Sequence, residues 1–133
     1  LTVSVDDSAG TARAIGADIT NLDWAIPSGV QDITGVTSSA MERLLLLADM
    51  SVTLNGVFND AANMSFAVFK NYRTLSGTDT GRTTTIAHSG QTLGTAPEPY
   101  ILYNDFSFSR PQSGELTWSA PGQLASTTVP TWV

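Results

Sequence analysis

The stretch MSVTLNGVF, Met50–Phe58, alternates between apolar and small polar residues. Because successive side chains of a β-strand point to opposite faces, its apolar residues would share one face, with Gly56 in the same register. The serine, threonine and asparagine between them would share the other face. Such a strand needs partners for both its backbone and its apolar face, so this stretch requires a sheet and favours a mainly β fold.

Further segments carry strand patterns. Leu1–Val5 alternates apolar and hydroxyl residues, and the stretch TDTGRTTTIAH, which ends at His88, is rich in threonine. Tyr100–Ser109 alternates aromatic and polar residues, and the turn RPQSG leads from it into ELTWSA, which is predicted to pair back as a hairpin. The chain therefore reads as many short strands joined by turns.

Beyond residue 60 the period of the pattern changes. Met64, Val68, Tyr72 and Leu75 recur at spacings of four, four and three residues, which places them on one face of an α-helix. An Asn-Asp pair precedes this pattern and offers an N-cap oxygen. The pattern predicts one α-helix over about residues 60–75.

These elements together predict the fold class. The chain has 133 residues, the length of one domain, and no low-complexity linker divides it. We therefore expect a single domain over residues 1–133 that is mainly β, a β-sandwich or half-open barrel with one flanking α-helix. No apolar run approaches the ~18 residues that a membrane-spanning helix needs.

The segment SSAMERLLLLAD contains four consecutive leucines, Leu44–Leu47. A helix is one interpretation, because Ser39 and Glu42 match the capping box S-x-x-E. In a strand, the leucines would make both faces apolar, and both would need a cover. We expect a turn or short helix at Ser38–Glu42, followed by an extended segment that runs into the next strand. Some leucines would then face the domain's own core and some a neighbouring copy.

The net charge of −6 comes entirely from the first half of the chain. Residues 1–60 carry eight carboxylates against two arginines, whereas residues 61–133 carry four charges of each sign. A protein that grips nucleic acid clusters Lys and Arg against the phosphates, and six basic residues spread along this chain do not supply such a cluster. A solvated acidic surface that aids solubility is the simplest interpretation.

The sequence contains no catalytic or metal-binding signature. Cysteine is absent, and the only histidine, His88, is followed by Ser89, which a strand would point to the opposite face. Asp6 and Asp7 lack the ligand spacing of a calcium loop, and no phosphate-binding glycine motif is present. We therefore predict a protein that is not an enzyme and that holds no metal or cofactor.

Aromatic residues leave a second class of function open. A β-sandwich module that recognises carbohydrate or a host surface would use a face of exposed aromatic rings. Packing in the core or at an edge is the more ordinary role of aromatic residues in strands. The candidates for either role are Trp24, Trp118, Trp132, Tyr100 and Tyr103.

Three stretches, in order along the chain, resemble a known family. VDDSAGTARAIGADITNLDWAIPSGVQDITGV is similar to the opening of the tail tube protein (major tail protein) of bacteriophages with long, non-contractile tails. SSAMERLLLLADMSVTLNGVFND resembles that family's next block, in which a loop leads into a strand of the form D-x-S-V-T-L-x-G-x-F-x-D. YNDFSFSRPQSGELTWSAPGQLASTTVPTW resembles its C-terminal hairpin, so the resemblance covers nearly the whole chain.

The resemblance implies a subunit that assembles with copies of itself. Six copies would close a ring, and rings would stack into a hollow tube around a tape-measure protein. The protein would belong to the virion, be assembled in the host cytoplasm and contact tail-tip and terminator proteins. Double-stranded DNA would pass through without sequence-specific binding, and no membrane would be involved. A tail terminator or connector of related fold is a neighbouring alternative.

Within that resemblance, two sets of residues are site candidates. Contacts between copies need apolar surface that is exposed in the monomer, which makes the four leucines candidates for the subunit interface. These are Leu44, Leu45, Leu46 and Leu47. A lumen that conducts DNA gains from carboxylates, because they do not retain phosphates. The lumen candidates are Asp18, Asp23, Asp32, Glu42 and Asp49.

Overall fold

The computed structural model describes residues 1–74, 81–94, 100–126 and 129–133. A short 3₁₀ helix, Gly16–Asp18, and one α-helix, α1 (Ser65–Phe69), accompany the strands in these ranges. The strands are β1 (Thr2–Asp6), β2 (Ala12–Ala14), β3 (Ile19–Ala25), β4 (Ser28–Asp32), β5 (Arg43–Ala48), β6 (Ser51–Val57), β7 (Arg82–His88), β8 (Gln91–Leu93), β9 (Tyr100–Tyr103), β10 (Ser107–Ser109) and β11 (Thr117–Leu124).

Nine of these strands form one sheet, which we call the body. Their order is β2-β1-β7-β9-β11-β6-β3, with β8 paired to β7 and β10 paired to β11. Because β7 pairs with β1 along part of its length and with β9 at its start, the two halves of the sheet are continuous. The remaining strands, β4 and β5, form a separate two-stranded sheet. The fold is mainly β, as the sequence predicted.

The alternation of MSVTLNGVF is confirmed by β6. Met50, Val52 and Leu54 are buried, whereas the polar residues between them are partly or fully exposed. Leu54 lies between Leu22 of β3 and Ala120 of β11, so β6 has a paired strand on each side. A central position of this kind satisfies the backbone on both edges, and the apolar face is covered because Met50, Val52 and Leu54 belong to the shared core.

Buried residues from both halves of the sheet share a single core. Phe69 of α1 is fully buried there, and its ring lies 5.0 Å from the ring of Tyr103 and 5.4 Å from that of Trp118. The sheet therefore curls around one core, and α1 covers part of it. The buried hydrophobic residues are Val3, Val5, Ile15, Met50, Val52, Leu54, Val68, Phe69, Ile86, Leu93, Ile101, Tyr103, Trp118 and Ala120.

The predicted helix over about residues 60–75 is wrong in extent, because α1 has only five residues. Asn63 adopts a left-handed conformation with φ of 67°, which breaks the helical path before α1 begins. The Asp18 carboxylate then accepts a hydrogen bond from the backbone N–H of Ser65, 3.0 Å away, at the start of the helix. The spacing of Val68 with Met64 is helical, but turns take over after Phe69. Residue 75 lies outside the described residues.

The single strand predicted at Tyr100–Ser109 is two strands, β9 and β10, that both pair with β11. Tyr103 pairs with Gly122 of β11, and Ser107 pairs with Ser119 of the same strand. The first two residues are four positions apart and their partners only three, so the connection between β9 and β10 contains one residue more than the facing part of β11. Pro121 lies opposite this irregularity and has no N–H to donate across it. Aromatic and polar residues continue to alternate after the break, although in the opposite phase, so the stretch was predicted as one strand.

Candidate assembly surface

The candidate surface is a β-hairpin of β4 and β5, Ser28–Ala48, which we call the hairpin. Val30 pairs with Leu45 and Gln31 with Leu44, and no strand of the body in the described residues pairs with either strand of the hairpin. At its base the backbone N–H of Asp49 donates to the carbonyl of Pro27. The hairpin therefore continues the β3–β6 pair beyond the body as a two-stranded ribbon.

Side chains close the tip of the hairpin. The hydroxyl of Thr34 donates to the Asp32 carboxylate at 2.5 Å, and the backbone N–H of Thr34 donates to the same oxygen at 2.9 Å. The Thr34 hydroxyl also accepts from the backbone N–H of Glu42 at 2.7 Å. The hydrogen bonds from the side chain and backbone of Thr34 lower the pKa of Asp32 from its ordinary value. This network joins the two strand ends across the loop.

All four leucines are in a strand, and all four are exposed. Leu44 is 52% exposed, Leu45 72%, Leu46 46% and Leu47 95%. The extended segment expected after Glu42 is confirmed as β5. Ser38–Glu42, where a turn or short helix was expected, contains no helix. The expectation that some leucines face the domain's own core is wrong, because the body does not extend over this ribbon. Leucine is normally among the residues that folding removes from water.

Further apolar residues of the same hairpin are exposed and were not singled out from the sequence. They lie on β4 and in the loop, where the sequence mixes apolar residues with Gly, Thr and Ser without a clear period. The sequence did contain a signal for these residues, because they are apolar, lie close to the leucine run and fit no core pattern. These residues are Val30, Ile33, Val36 and Met41, at least half exposed in each case. Together with the leucines they make eight large apolar residues of one hairpin that are exposed to solvent, and clustered exposure of this kind is typical of interaction sites.

The five acidic candidates do not lie on one surface. Asp18 is buried, with only 7% of its surface exposed, and its carboxylate accepts hydrogen bonds from the Asn59 side chain and the Ser65 backbone. It holds the start of α1, and because it is buried in the subunit it does not offer its carboxylate to a lumen. Asp32 and Glu42 lie together at the tip of the hairpin through Thr34.

The other two candidates lie at or near the body. Asp23 is exposed on β3, where the Asn21 side chain donates to its carboxylate at 2.8 Å. Its cross-strand partner is Thr53 of β6, and that face of the sheet carries neutral residues around it. Asp49 is exposed at the junction of hairpin and body. Four of the five candidates are thus accessible to solvent.

The described part of the chain brings together no catalytic constellation. It holds no group of three or more His, Cys, Asp or Glu residues that could bind a metal ion. His88 is exposed at a hairpin turn in which Ser89 has φ of 51° and Gly90 φ of 79°. A depression of about 350 Å³ on the sheet has no titratable side chain among its lining residues, which are Thr20, Asn55, Gly56, Ser107, Phe108, Ser109, Thr117, Trp118 and Ser119.

The aromatic residues do not form a flat platform. Trp118 and Tyr103 are buried in the core, and the Tyr103 hydroxyl shares a hydrogen bond of 2.8 Å with Thr84. Trp24 and Trp132 meet edge to face, with ring centroids 6.3 Å apart. No helix in the described ranges is long and apolar enough to cross a membrane.

Comparisons with known proteins bear on the fold. No protein-family model matches the sequence, and no curated protein matches it. Seven chains of solved structures do match. One belongs to the structure of the tail of an empty gene transfer agent particle, which was computed with helical refinement and C6 symmetry. It superposes with a TM-score of 0.70 at 17% identity, over 98% of this chain and 95% of that chain.

The chain shares the fold of a chain in the tail of a gene transfer agent particle. A second match, from the virion of a native gene transfer agent particle, has a TM-score of 0.68 at 14% identity and covers 97% of this chain and 95% of that chain. Both matches span nearly the whole of each chain, so the hairpin and the body are compared together. At these identities the similarity is one of fold.

Proposed function

We propose that this protein is a tail tube subunit, a structural virion protein that assembles with copies of itself. The observation that carries the proposal is the hairpin, whose leucines no part of the described body covers. Complete burial of a fully exposed leucine contributes roughly 1.5–3 kcal/mol. These leucines are 46–95% exposed, so each can contribute a large part of that amount and several together favour association. The shared fold with a subunit of a phage-like tail supports the same role.

In this proposal, six copies close a ring and rings stack into a hollow tube. Contacts around a ring and between rings are heterologous, because each joins two different patches of the subunit. Exposed edge strands suit such contacts, since their unpaired backbone groups accept a strand from a neighbour. The body has such an edge at β3, the last strand of the sheet order. The tube would enclose a tape-measure protein and meet tail-tip and terminator proteins at its ends.

DNA would pass through the tube without being held. Asp23 has the strongest case among the lumen candidates, because its neighbours on the outward face of the sheet are neutral. In register with it lie Thr53 and Pro121, and the next row contains Asn55 and Ser119. A wall that lacks cations forms no ion pairs with phosphates, so a polyanion slides past it. The protein would be assembled in the bacterial cytoplasm and remain in the virion tail.

Electron microscopy of the purified protein at high concentration tests the proposal. We expect tubes of stacked rings in negative stain. Leu45→Asp and Leu46→Asp should each abolish them while the far-UV circular dichroism of the monomer is retained, because a charge cannot be buried unpaired in an apolar contact.

Each contrary result points to a different assignment. Single rings that never stack would indicate a tail terminator or connector. A stable monomer that binds glycans would indicate a binding module. Normal tubes from both aspartate variants would show that the hairpin is not the interface.

A further inference from the structure

We infer that each hairpin is covered by two different neighbouring copies, one on each of its faces. This inference rests on the proposed self-assembly and adds how many neighbours the hairpin meets. It follows from the register of β4 and β5 and from the exposure of the side chains on each side of the ribbon.

The register divides the hairpin into two faces. Residues directly opposite each other in an antiparallel pair share a face, and successive residues alternate between faces. Val30 and Leu45 are opposite each other and define the first face. Gln31 and Leu44 are opposite each other and define the second. Leu46 also belongs to the second face, since its side chain lies directly over Gly29.

Neither face is covered by the subunit itself. On the first face Val30 is 54% exposed and Leu45 72%, and on the second Leu44 is 52% exposed and Leu46 46%. A single neighbour lying on one side of a two-stranded ribbon would leave the leucines of the other side in water. A strand that is apolar on both faces is normally covered on both. The hairpin therefore fits between two neighbours rather than against one.

The two faces differ in chemistry and call for different partner surfaces. On the first face Asp32 lies opposite Arg43, so charges of both signs flank the apolar pair of that face. The second face has the neutral Gln31, and on it the Leu46 side chain packs over Gly29. Two unlike faces fit the two unlike contacts of a stacked ring, one within the ring and one between rings.

The absence of cysteine allows each face to be examined separately. Leu45→Cys places one thiol on the first face and Leu44→Cys places one on the second, in a chain that has no other cysteine. Each variant is mixed as a small fraction with wild-type chains, so that the wild-type majority determines whether particles form. The rate of reaction with a maleimide is then compared between particles and the monomer of the same variant.

We expect both thiols to react at least about tenfold more slowly in particles than in the monomer, as burial at a contact requires. Exclusion of a variant from the particles also counts as burial of that position, because only a tightly packed contact rejects so small a change. Particles in which one thiol is protected and the other reacts at the monomer rate would overturn the two-neighbour inference and leave the proposed function standing. Wild-type protein that stays monomeric at every concentration would overturn the proposed function, and this inference with it.

Discussion

Leu45 lies on β5 and Leu54 on β6, the next strand along the chain, yet their environments are opposite. Leu54 is fully buried in the body, whereas Leu45 is 72% exposed on the hairpin. The difference lies in what packs over each strand, because Leu54 of β6 belongs to the shared core, whereas no part of the described body covers β5. The same residue type thus stabilises the fold in one place and provides a surface for association in the other.

A second contrast concerns how the two regions are held. The body is fixed by a shared core and by buried hydrogen bonds, such as that between Thr84 and Tyr103. The hairpin is held by its own backbone pairing and by the Thr34 network at its tip. A two-stranded ribbon alone is marginally stable in water, so the hairpin gains most from being covered.

The largest expected difference between body and hairpin is in the free energy of unfolding that is lost when Leu54 or Leu45 is truncated to alanine. Leu54→Ala should lower the free energy of unfolding by about 2–5 kcal/mol, because it leaves a cavity in a packed core. Leu45→Ala should change it by no more than about 0.5 kcal/mol, as expected for an exposed position. Urea unfolding of the monomer followed by circular dichroism measures both.

The same two variants should rank in the opposite order for assembly. Leu45→Ala should raise the protein concentration needed to form particles, whereas folded Leu54→Ala protein should assemble near the wild-type concentration. Equal losses of monomer stability in the two variants would mean that the hairpin is packed on the body in solution.

Substitution of Arg82 is expected to have the next largest effect on stability, and this effect is confined to the body. Its buried guanidinium donates to the backbone carbonyls of Asp6, Val68, Asn71 and Thr74, so it joins β1 to α1 and the turns that follow it. Arg82→Met removes these donors and should lower the free energy of unfolding by about 2–4 kcal/mol, since hydrogen bonds to a charged group contribute more than neutral ones.

Arg82→Lys is the matched control, because it keeps the charge but lacks the planar fork. The free energy of unfolding of Arg82→Lys should therefore lie between that of the wild type and that of Arg82→Met. Neither variant should alter the reactivity of a cysteine placed on the hairpin of the monomer. Wild-type stability in Arg82→Met would show that water satisfies the four carbonyls instead.

The smallest effect is a change of pKa at the tip of the hairpin. Hydrogen bonds from the Thr34 hydroxyl and backbone hold the pKa of Asp32 below 3.8. Because the folded-state pKa is lowered, this network favours the closed tip above the unfolded pKa and loses that effect as the pH falls through the folded pKa. Thr34→Val removes the larger contribution, so the pKa of Asp32 should rise toward 3.8, measured by carboxyl ¹³C NMR.

Asp7 in the body is the internal control for that titration. Desolvation raises its pKa, but hydrogen bonds from the Thr11 backbone, the Arg13 side chain and the Ala9 backbone outweigh this and lower it. These contacts are all local to the turn after β1, so Thr34→Val should leave the pKa of Asp7 unchanged. A shift of both carboxylates would mean that the substitution disturbs the body as well as the tip.

Much of the body was predictable because its pattern is local. Alternation located β1 and β6, the Thr-rich stretch located β7, the aromatic stretch located β9 and β10 as a single strand, and the turn RPQSG located the beginning of β11. The short extent of α1 was not predictable, since it depends on the Asp18 carboxylate reaching Ser65 from 47 residues away. The extra residue between β9 and β10 depends in the same way on the register of a distant partner strand.

The sequence by itself determined that this chain is mainly β and that four leucines would be difficult for one domain to bury. Only the tertiary structure decided where those leucines lie. Both outcomes have a physical cause. The two-residue period of a strand is a property of neighbouring residues, whereas the covering of its faces depends on which distant parts of the chain pack over them. For β6 these are the other residues of the shared core, and for β5 no part of the described body takes that place.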